Sequence, residues 1–228
     1  MSLAGGSNGF NIISGSGGDT LKGGGNADTF TIASSGEGNS DVFDGGGGTD
    51  TLQASAGSHV FASDATFTNI ETVLAHASGS SINLSAQSEG FTITGGTGVD
   101  ALTGGAGVDI ITGGGGNDSL YLGAGDDTVT GGAGNDTIDG GLGTDIAIFS
   151  GNYADYTITE TGYAQYQVVD NQGTDGTDTL SNIETLRFSD QNFDITPSGQ
   201  KLEGDSSDDT LEGAAGDDLI YGLSLIHI

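Results

Sequence analysis

The chain has 228 residues, 45 of them glycine and one proline, and sets 32 Asp and Glu against three Lys and Arg for a formal net charge of −29. That charge repels nucleic acid and anionic lipid, and it opposes compaction unless something positive joins the folded state, for which a bound cation is the simplest candidate. Collagen is excluded by the scarcity of proline and of every-third glycine; the lack of cysteine excludes a disulfide framework, and no apolar run approaches the roughly 20 residues that span a bilayer.

Residues 1–10 lack the charged start and apolar core of a classical signal peptide. Residues 5–53 then carry loose copies of one pattern, an Asp followed two positions later by a large apolar residue: Asp19 with Leu21, Asp28 with Phe30, Asp41 with Phe43, Asp50 with Leu52. The 13-residue step from Asp28 to Asp41 breaks the register. Residues 54–93 lack the pattern. Thr68-Asn69-Ile70-Glu71-Thr72-Val73, Ser81-Ile82-Asn83-Leu84-Ser85 and Phe91-Thr92-Ile93 alternate and are rich in β-formers, which predicts short strands.

Across 94–150 the pattern becomes strict. Asp100, Asp109, Asp118, Asp127, Asp136 and Asp145 fall on a nine-residue period. Two positions after them stand Leu102, Ile111, Leu120, Val129, Ile138 and Ala147; two before stand Gly98, Gly107, Gly116, Gly125, Gly134 and Gly143. A flexible linker has no reason to hold that register. Residues 151–200 form a second stretch without the period, where Tyr156-Thr157-Ile158 and Tyr166-Gln167-Val168-Val169 flank Gly162 and predict a hairpin. Asn182-Ile183-Glu184-Thr185 repeats Asn69-Ile70-Glu71-Thr72, which relates the two inserts. Residues 201–222, with Asp209 before Leu211 and Asp218 before Ile220, begin a further array. Residues 223–228, Leu-Ser-Leu-Ile-His-Ile, resemble a translated sequencing adapter and are read as an artefact inside that array.

The unit Gly-Gly-x-Gly-x-Asp-x-apolar-x resembles the calcium-binding nonapeptide of RTX (repeats-in-toxin) proteins, and Asp100 to Asp118 is similar to the hemolysin-type calcium-binding signature. The resemblance implies an all-β fold: a right-handed parallel β-roll, or β-solenoid, of calcium-binding nonapeptides with interspersed β inserts. Two units then make one coil. Asp100, Asp118 and Asp136 line one edge, and Asp109, Asp127 and Asp145 the other, with ions between Asp100/Asp118, Asp118/Asp136, Asp109/Asp127 and Asp127/Asp145. Asp19, Asp28, Asp50, Asp209 and Asp218 are the metal candidates of the weaker copies. The chemistry suits the spacing. Ca2+ takes six to eight oxygens at about 2.3–2.6 Å, and glycines let a tight loop aim its carbonyls inward.

Catalytic signatures are missing. There is no His-Glu-x-x-His, no glycine cluster is followed by Lys-Ser/Thr, and the Gly-x-Ser-x-Gly spacing of Gly5 to Gly9 is not followed by the helical pattern of a nucleophile elbow. His59 and His76 are expected at the surface, and the pairs Asp126-Asp127 and Asp217-Asp218 lie inside repeat loops. The third loop position, Thr97, Ala106, Gly115, Ala124, Ala133 and Leu142, makes no threonine column for ice binding. The reading is a non-enzymatic calcium-binding module of a secreted, extracellular bacterial protein, folding on calcium after type I secretion. The C-terminal secretion signal that the family usually carries lies outside this chain. Two alternatives stand beside it: an adhesin or surface-matrix segment whose inserts bind a cell-surface or glycan partner, and the tail of a secreted enzyme whose catalytic domain is elsewhere.

Overall fold

The computed structural model describes residues 9–14, 17–33 and 40–195, together with the backbone of strands Lys201–Glu203 and Leu219–Tyr221. Its building block is a strand of about three residues whose middle side chain is buried and whose flanks face out, as in Ala101–Thr103 around Leu102 and Thr51–Gln53 around Leu52. So short a strand has too few hydrogen bonds to persist alone. Each is held by parallel pairing with the equivalent strand of the next coil.

One face of the solenoid is a ten-stranded sheet. In spatial order it runs through Asn11–Ile13, Thr29–Thr31, Thr51–Gln53, Thr72–Leu74, Thr92–Thr94, Ile110–Gly115, Thr128–Ala133, Ile146–Ile148 and Thr185–Arg187, and ends on Asn192–Asp194. The other face begins with a three-stranded sheet, Thr20–Lys22, Val42–Asp44 and Phe67–Thr68. It continues as an eight-stranded one from Gly57–Val60 through Ser80–Asn83, Ala101–Thr103, Ser119–Ala124 and Thr137–Leu142 to Thr177–Ser181, Gln165–Asp170 and Tyr156–Gly162. No α-helix occurs among the described residues; 3-10 turns span Asp64–Thr66 and Tyr153–Asp155. No described helix is long and apolar enough to cross a membrane.

The central side chains stack into two columns that share one core. Ile93, Ile111, Val129, Ala147 and Leu186 follow one another on the first face, and Ile82, Leu102, Leu120, Ile138 and Leu180 on the second. Each fully buried Leu or Ile contributes roughly 1.5–3 kcal/mol. Coil length sets what fills the interior. Successive carboxylates of the central run are 18 residues apart, and aliphatic side chains suffice there. Toward the N-terminus the steps lengthen to 22 and 21 residues, and the wider interior is packed by Phe30, Phe43, Phe61, Phe67 and Phe91, with ring centroids 4.5–6.1 Å apart.

Residues 54–93 lack the repeat but keep the coil: Thr72–Leu74 and Ser80–Asn83 pair in parallel with strands on both sides. His59 corrects the expectation of a surface position. It is fully buried, pairs across from Ile82 in the apolar column, and sets Nε2 3.0 Å from the Ser55 carbonyl oxygen. Register decides this: neighbouring coils fix which side of Gly57–Val60 faces inward, and position 59 is on that side. His76 is exposed.

In the second insert, Tyr156–Gly162 and Gln165–Asp170 form the antiparallel hairpin, turning at Ala164 with φ 51°. Thr177–Ser181 then rejoins the parallel stack. Asn192–Asp194 also runs antiparallel to its neighbour, so an antiparallel strand ends each of the two sheets on this side. The hairpin is pinned by Asp175. Its Oδ2 accepts the Tyr156 hydroxyl at 2.6 Å, and its two oxygens accept the Ser150 N–H and Oγ at 2.8 and 2.7 Å.

Candidate metal centres

Among the described residues the repeat aspartates lie at the loop-to-strand junctions, all buried except half-buried Asp19. Each carboxylate reaches back one coil. The Asp100 N–H donates to Asp118 Oδ1, Asp118 N–H to Asp136 Oδ1, and Asp136 N–H to Asp178 Oδ1, each at 2.8 Å. On the opposite edge Asp109 N–H donates to Asp127 Oδ1 at 2.7 Å, Asp127 N–H to Asp145 Oδ1 at 2.8 Å, and Asp145 N–H to Glu184 Oε2 at 2.7 Å. The N-terminal coils repeat the ladder from Asp28 to Asp50 to Glu71, and from Asp19 to Asp41. Asp100 and Asp109 begin the central ladders by accepting Ser80 N–H and Phe91 N–H.

What the second carboxylate oxygen does depends on what lies beneath the loop. Asp28, Asp100 and Asp109 close it on their own loop, accepting N–H from Gly24, Gly96 and Gly105 at 2.6, 2.8 and 2.8 Å. These are the first loops of their stacks; Ala77 lies under Gly96 and Gln87 under Gly105. The described loops before Asp50, Asp118, Asp127, Asp136 and Asp145 rest on a glycine carbonyl instead. Gly114 sits on Gly96 O with φ 103°, and Gly132 on Gly114 O with φ 106°; no Cβ fits either approach, and only glycine takes that backbone without strain. In those loops the oxygen is left over. Oδ2 of Asp50, Asp118, Asp127, Asp136 and Asp145 is buried with no hydrogen-bond partner, as is that of Asp41.

A buried carboxylate oxygen without a donor is costly, and here it recurs in stacked rows of like charge. The orphans of Asp50, Asp118 and Asp145 also face a main-chain oxygen of the next coil, Asn69 O, Gly131 O and Asn182 O. A Cβ on Gly113 would come within 2.5 Å of both Asp118 Oδ2 and Gly131 O, so the glycine leaves open the point on which these oxygens converge. Among the described residues no three Asp, Glu or His side chains meet at one place. The available donors are therefore paired carboxylates with glycine carbonyls. An all-oxygen set on a loop suits Ca2+, which tolerates irregular geometry, better than Mg2+, which demands a near-octahedral one.

The strain shows in the acidities. Burial, opposed by the N–H donors and reinforced by neighbouring carboxylates, pushes Asp109 and Asp118 up to about 6, Asp145 up to about 7 and Asp178 up to about 8. Asp50, Asp127 and Asp136 are raised in the same way.

The structure thus stacks all four expected pairs, Asp100/Asp118, Asp118/Asp136, Asp109/Asp127 and Asp127/Asp145, and adds Asp28/Asp50 and Asp19/Asp41. Asp209 and Asp218 lie outside the described residues. Four carboxylates join the ladders that were not named as metal candidates from the sequence: Asp41, Asp178, Glu71 and Glu184. Asp178 carries the signature in Gly176-x-Asp178-x-Leu180, hidden because its coil is 42 residues long. Glu71 and Glu184 sit in the repeated Asn-Ile-Glu-Thr elements. A family model for the RTX calcium-binding nonapeptide repeat matches four stretches, residues 35–58, 92–120, 112–147 and 200–224. No curated protein matches the chain.

Proposed function

We propose that this chain of RTX calcium-binding nonapeptide repeats, stacked as a β-roll, is a calcium-triggered folding module of a secreted bacterial protein. Calcium is scarce in the cytosol, and the repelling carboxylates keep the chain open for type I export. Calcium outside the cell then fills the stacked loops and folds the chain, which favours one-way movement. The proposed ligands are Asp100, Asp109, Asp118, Asp127, Asp136 and Asp145 in the central coils, Asp19, Asp28 and Asp50 before them, and Asp209 and Asp218 after them. The observation that carries the reading is the row of orphaned, buried Oδ2 atoms. A cation satisfies each orphan and cancels the repulsion in one step.

Mass action supports the coupling. A site with Kd near ~0.1 mM adds about 1.4 kcal/mol at ~1 mM free calcium, and four such sites add roughly 6 kcal/mol. That is comparable with the ~5–15 kcal/mol stability of a whole domain. The test is export of the intact parent protein with all six central aspartates changed to Ala. Reduced export, with the exported chain remaining protease-sensitive in calcium, is expected; unchanged export of a protease-resistant chain refutes the role.

One observation favours a second reading, an adhesive surface. Tyr153, Tyr156, Ile158, Tyr166 and Phe193 line a groove of about 370 Å3 beside the hairpin, and the buried Tyr166 hydroxyl has no partner. Aromatic walls with a few polar groups suit a sugar ring. Binding of the folded chain to a glycan array that Tyr153→Ala and Phe193→Ala abolish would support it; no glycan binding would remove it.

A further inference from the structure

We propose that the two Asn-Ile-Glu-Thr elements are terminal half-sites for calcium: Glu71 closes an ion site against Asp50, and Glu184 closes one against Asp145. This rests on the reading that stacked aspartate loops hold calcium.

Both glutamates occupy the aspartate place in the ladder. Glu71 Oε2 accepts Asp50 N–H and Glu184 Oε2 accepts Asp145 N–H, each at 2.7 Å, as Asp136 Oδ1 accepts Asp118 N–H at 2.8 Å. The element also replaces the carbonyl of the missing loop. In a regular step Gly131 O and Asp118 Oδ2 flank the open side of Gly113. In the terminal steps Asn69 O and Asp50 Oδ2 flank Gly45, and Asn182 O and Asp145 Oδ2 flank Gly140. A left-handed turn at the asparagine, φ 55° and 51°, brings carbonyl and carboxylate within two residues of each other. A loop uses five for the same purpose, from Gly131 to Asp136. The longer glutamate arm makes up the reach. Asn69 Nδ2 ties back to Asp44 and Asn182 Nδ2 to Asp139, at 2.9 and 2.7 Å, and Ile70 and Ile183 anchor each turn in the core.

Two further features give the element a direction. The facing oxygens, Asp50 Oδ2 and Asp145 Oδ2, belong to fully buried side chains and have no partner. They ask for a cation as the internal sites do. The ladder, however, stops at the glutamate. Glu71 N–H and Thr72 N–H both return to Asp50 O, and Glu184 N–H and Thr185 N–H both return to Asp145 O, at 3.1–3.2 Å. No N–H is offered to a carboxylate of a later coil. The element supplies the far wall of one site and the near wall of none, so it completes an array while ending it.

The experiment counts calcium bound by the full chain, metal-stripped and titrated by calorimetry, for the parent sequence, Glu71→Gln, Glu184→Gln and Asp118→Asn. Glutamine keeps an oxygen for the Asp N–H and so preserves the cap while removing the anionic ligand. One ion fewer, or one site weakened at least tenfold, in each Gln variant with unchanged circular dichroism in calcium is the expected result. Unchanged uptake in both Gln variants, alongside a loss in Asp118→Asn, overturns the half-site assignment and leaves the general calcium reading standing. No uptake by the parent sequence overturns both. Should Glu184→Gln not fold in calcium, Glu184→Asp decides: the charge stays but withdraws by a methylene, and weakened uptake with the fold intact supports the site, whereas unchanged uptake overturns it.

Discussion

Acid is expected to fold the metal-free protein. In the folded state burial and neighbouring charge raise Asp109 and Asp118 to about 6, Asp145 to about 7 and Asp178 to about 8, from an ordinary 3.8. A raised carboxyl pKa means that the folded chain binds its proton more tightly than the unfolded chain does. The ionised group therefore opposes folding above the folded pKa. That opposition falls away as pH drops through the folded value and is gone below the unfolded one. Each unit is worth about 1.4 kcal/mol at most, so with solvent screening each group opposes folding at pH 7 by an amount on the order of 1–3 kcal/mol, and because neighbouring groups titrate together these amounts do not simply add. In chelator the chain should be largely open at pH 8 and gain β structure stepwise between about pH 8 and pH 4. Far-UV circular dichroism in a chelating buffer, at low concentration with light scattering to exclude aggregates, reads this directly. A flat signal across the window, or β structure lost on acidification, would refute the reasoning.

Removing one charge should do part of the same work: Asp145→Asn keeps an acceptor for Asp127 N–H, relieves the buried anion, stabilises the metal-free fold by roughly 1–3 kcal/mol and weakens calcium uptake, checked by urea melts with and without calcium. Gly132→Ala forces a Cβ into Gly114 O at φ 106° and should cost at least 2 kcal/mol by the order of such strain, whereas Gly25→Ala meets open space and should stay within about 0.5 kcal/mol; thermal melts in calcium compare them. Tyr156→Phe removes the hydroxyl that donates to Asp175 and accepts Gly151 N–H, so the hairpin should loosen by about 1–3 kcal/mol, seen as faster hydrogen exchange across 150–175 with the central coils unchanged.

The central coils were legible because a strict nine-residue period fixes one Asp column and one apolar column, and the resemblance to RTX repeats implied the two-unit coil that pairs aspartates 18 residues apart. Other features depend on what a loop rests upon, which no local pattern records. Gly95-Gly96-Thr97-Gly98-Val99-Asp100 reads like Gly131-Gly132-Ala133-Gly134-Asn135-Asp136, yet the first closes its carboxylate on Gly96 N–H and the second leaves Asp136 Oδ2 bare. The difference lies beneath them: Ala77 in one case, Gly114 in the other. Glu71 and Glu184 were visible as a repeated element, but their place in the ladder appears only once the coils are stacked. Asp178 kept the Gly-x-Asp-x-Leu part of the unit without its opening glycine pair, and was obscured by an insert that lengthened its coil. His59 was misplaced because a polar side chain in a coil without the repeat gives no local sign of facing inward.

The most direct test titrates calcium into the metal-stripped chain by calorimetry, with circular dichroism followed in parallel. Uptake of several ions, with β structure gained as they bind, is the result expected if orphaned carboxylate oxygens couple folding to metal. No uptake at millimolar calcium, or the same β content in chelator at pH 8 as in calcium, would contradict the account and leave the stacked loops as scaffold.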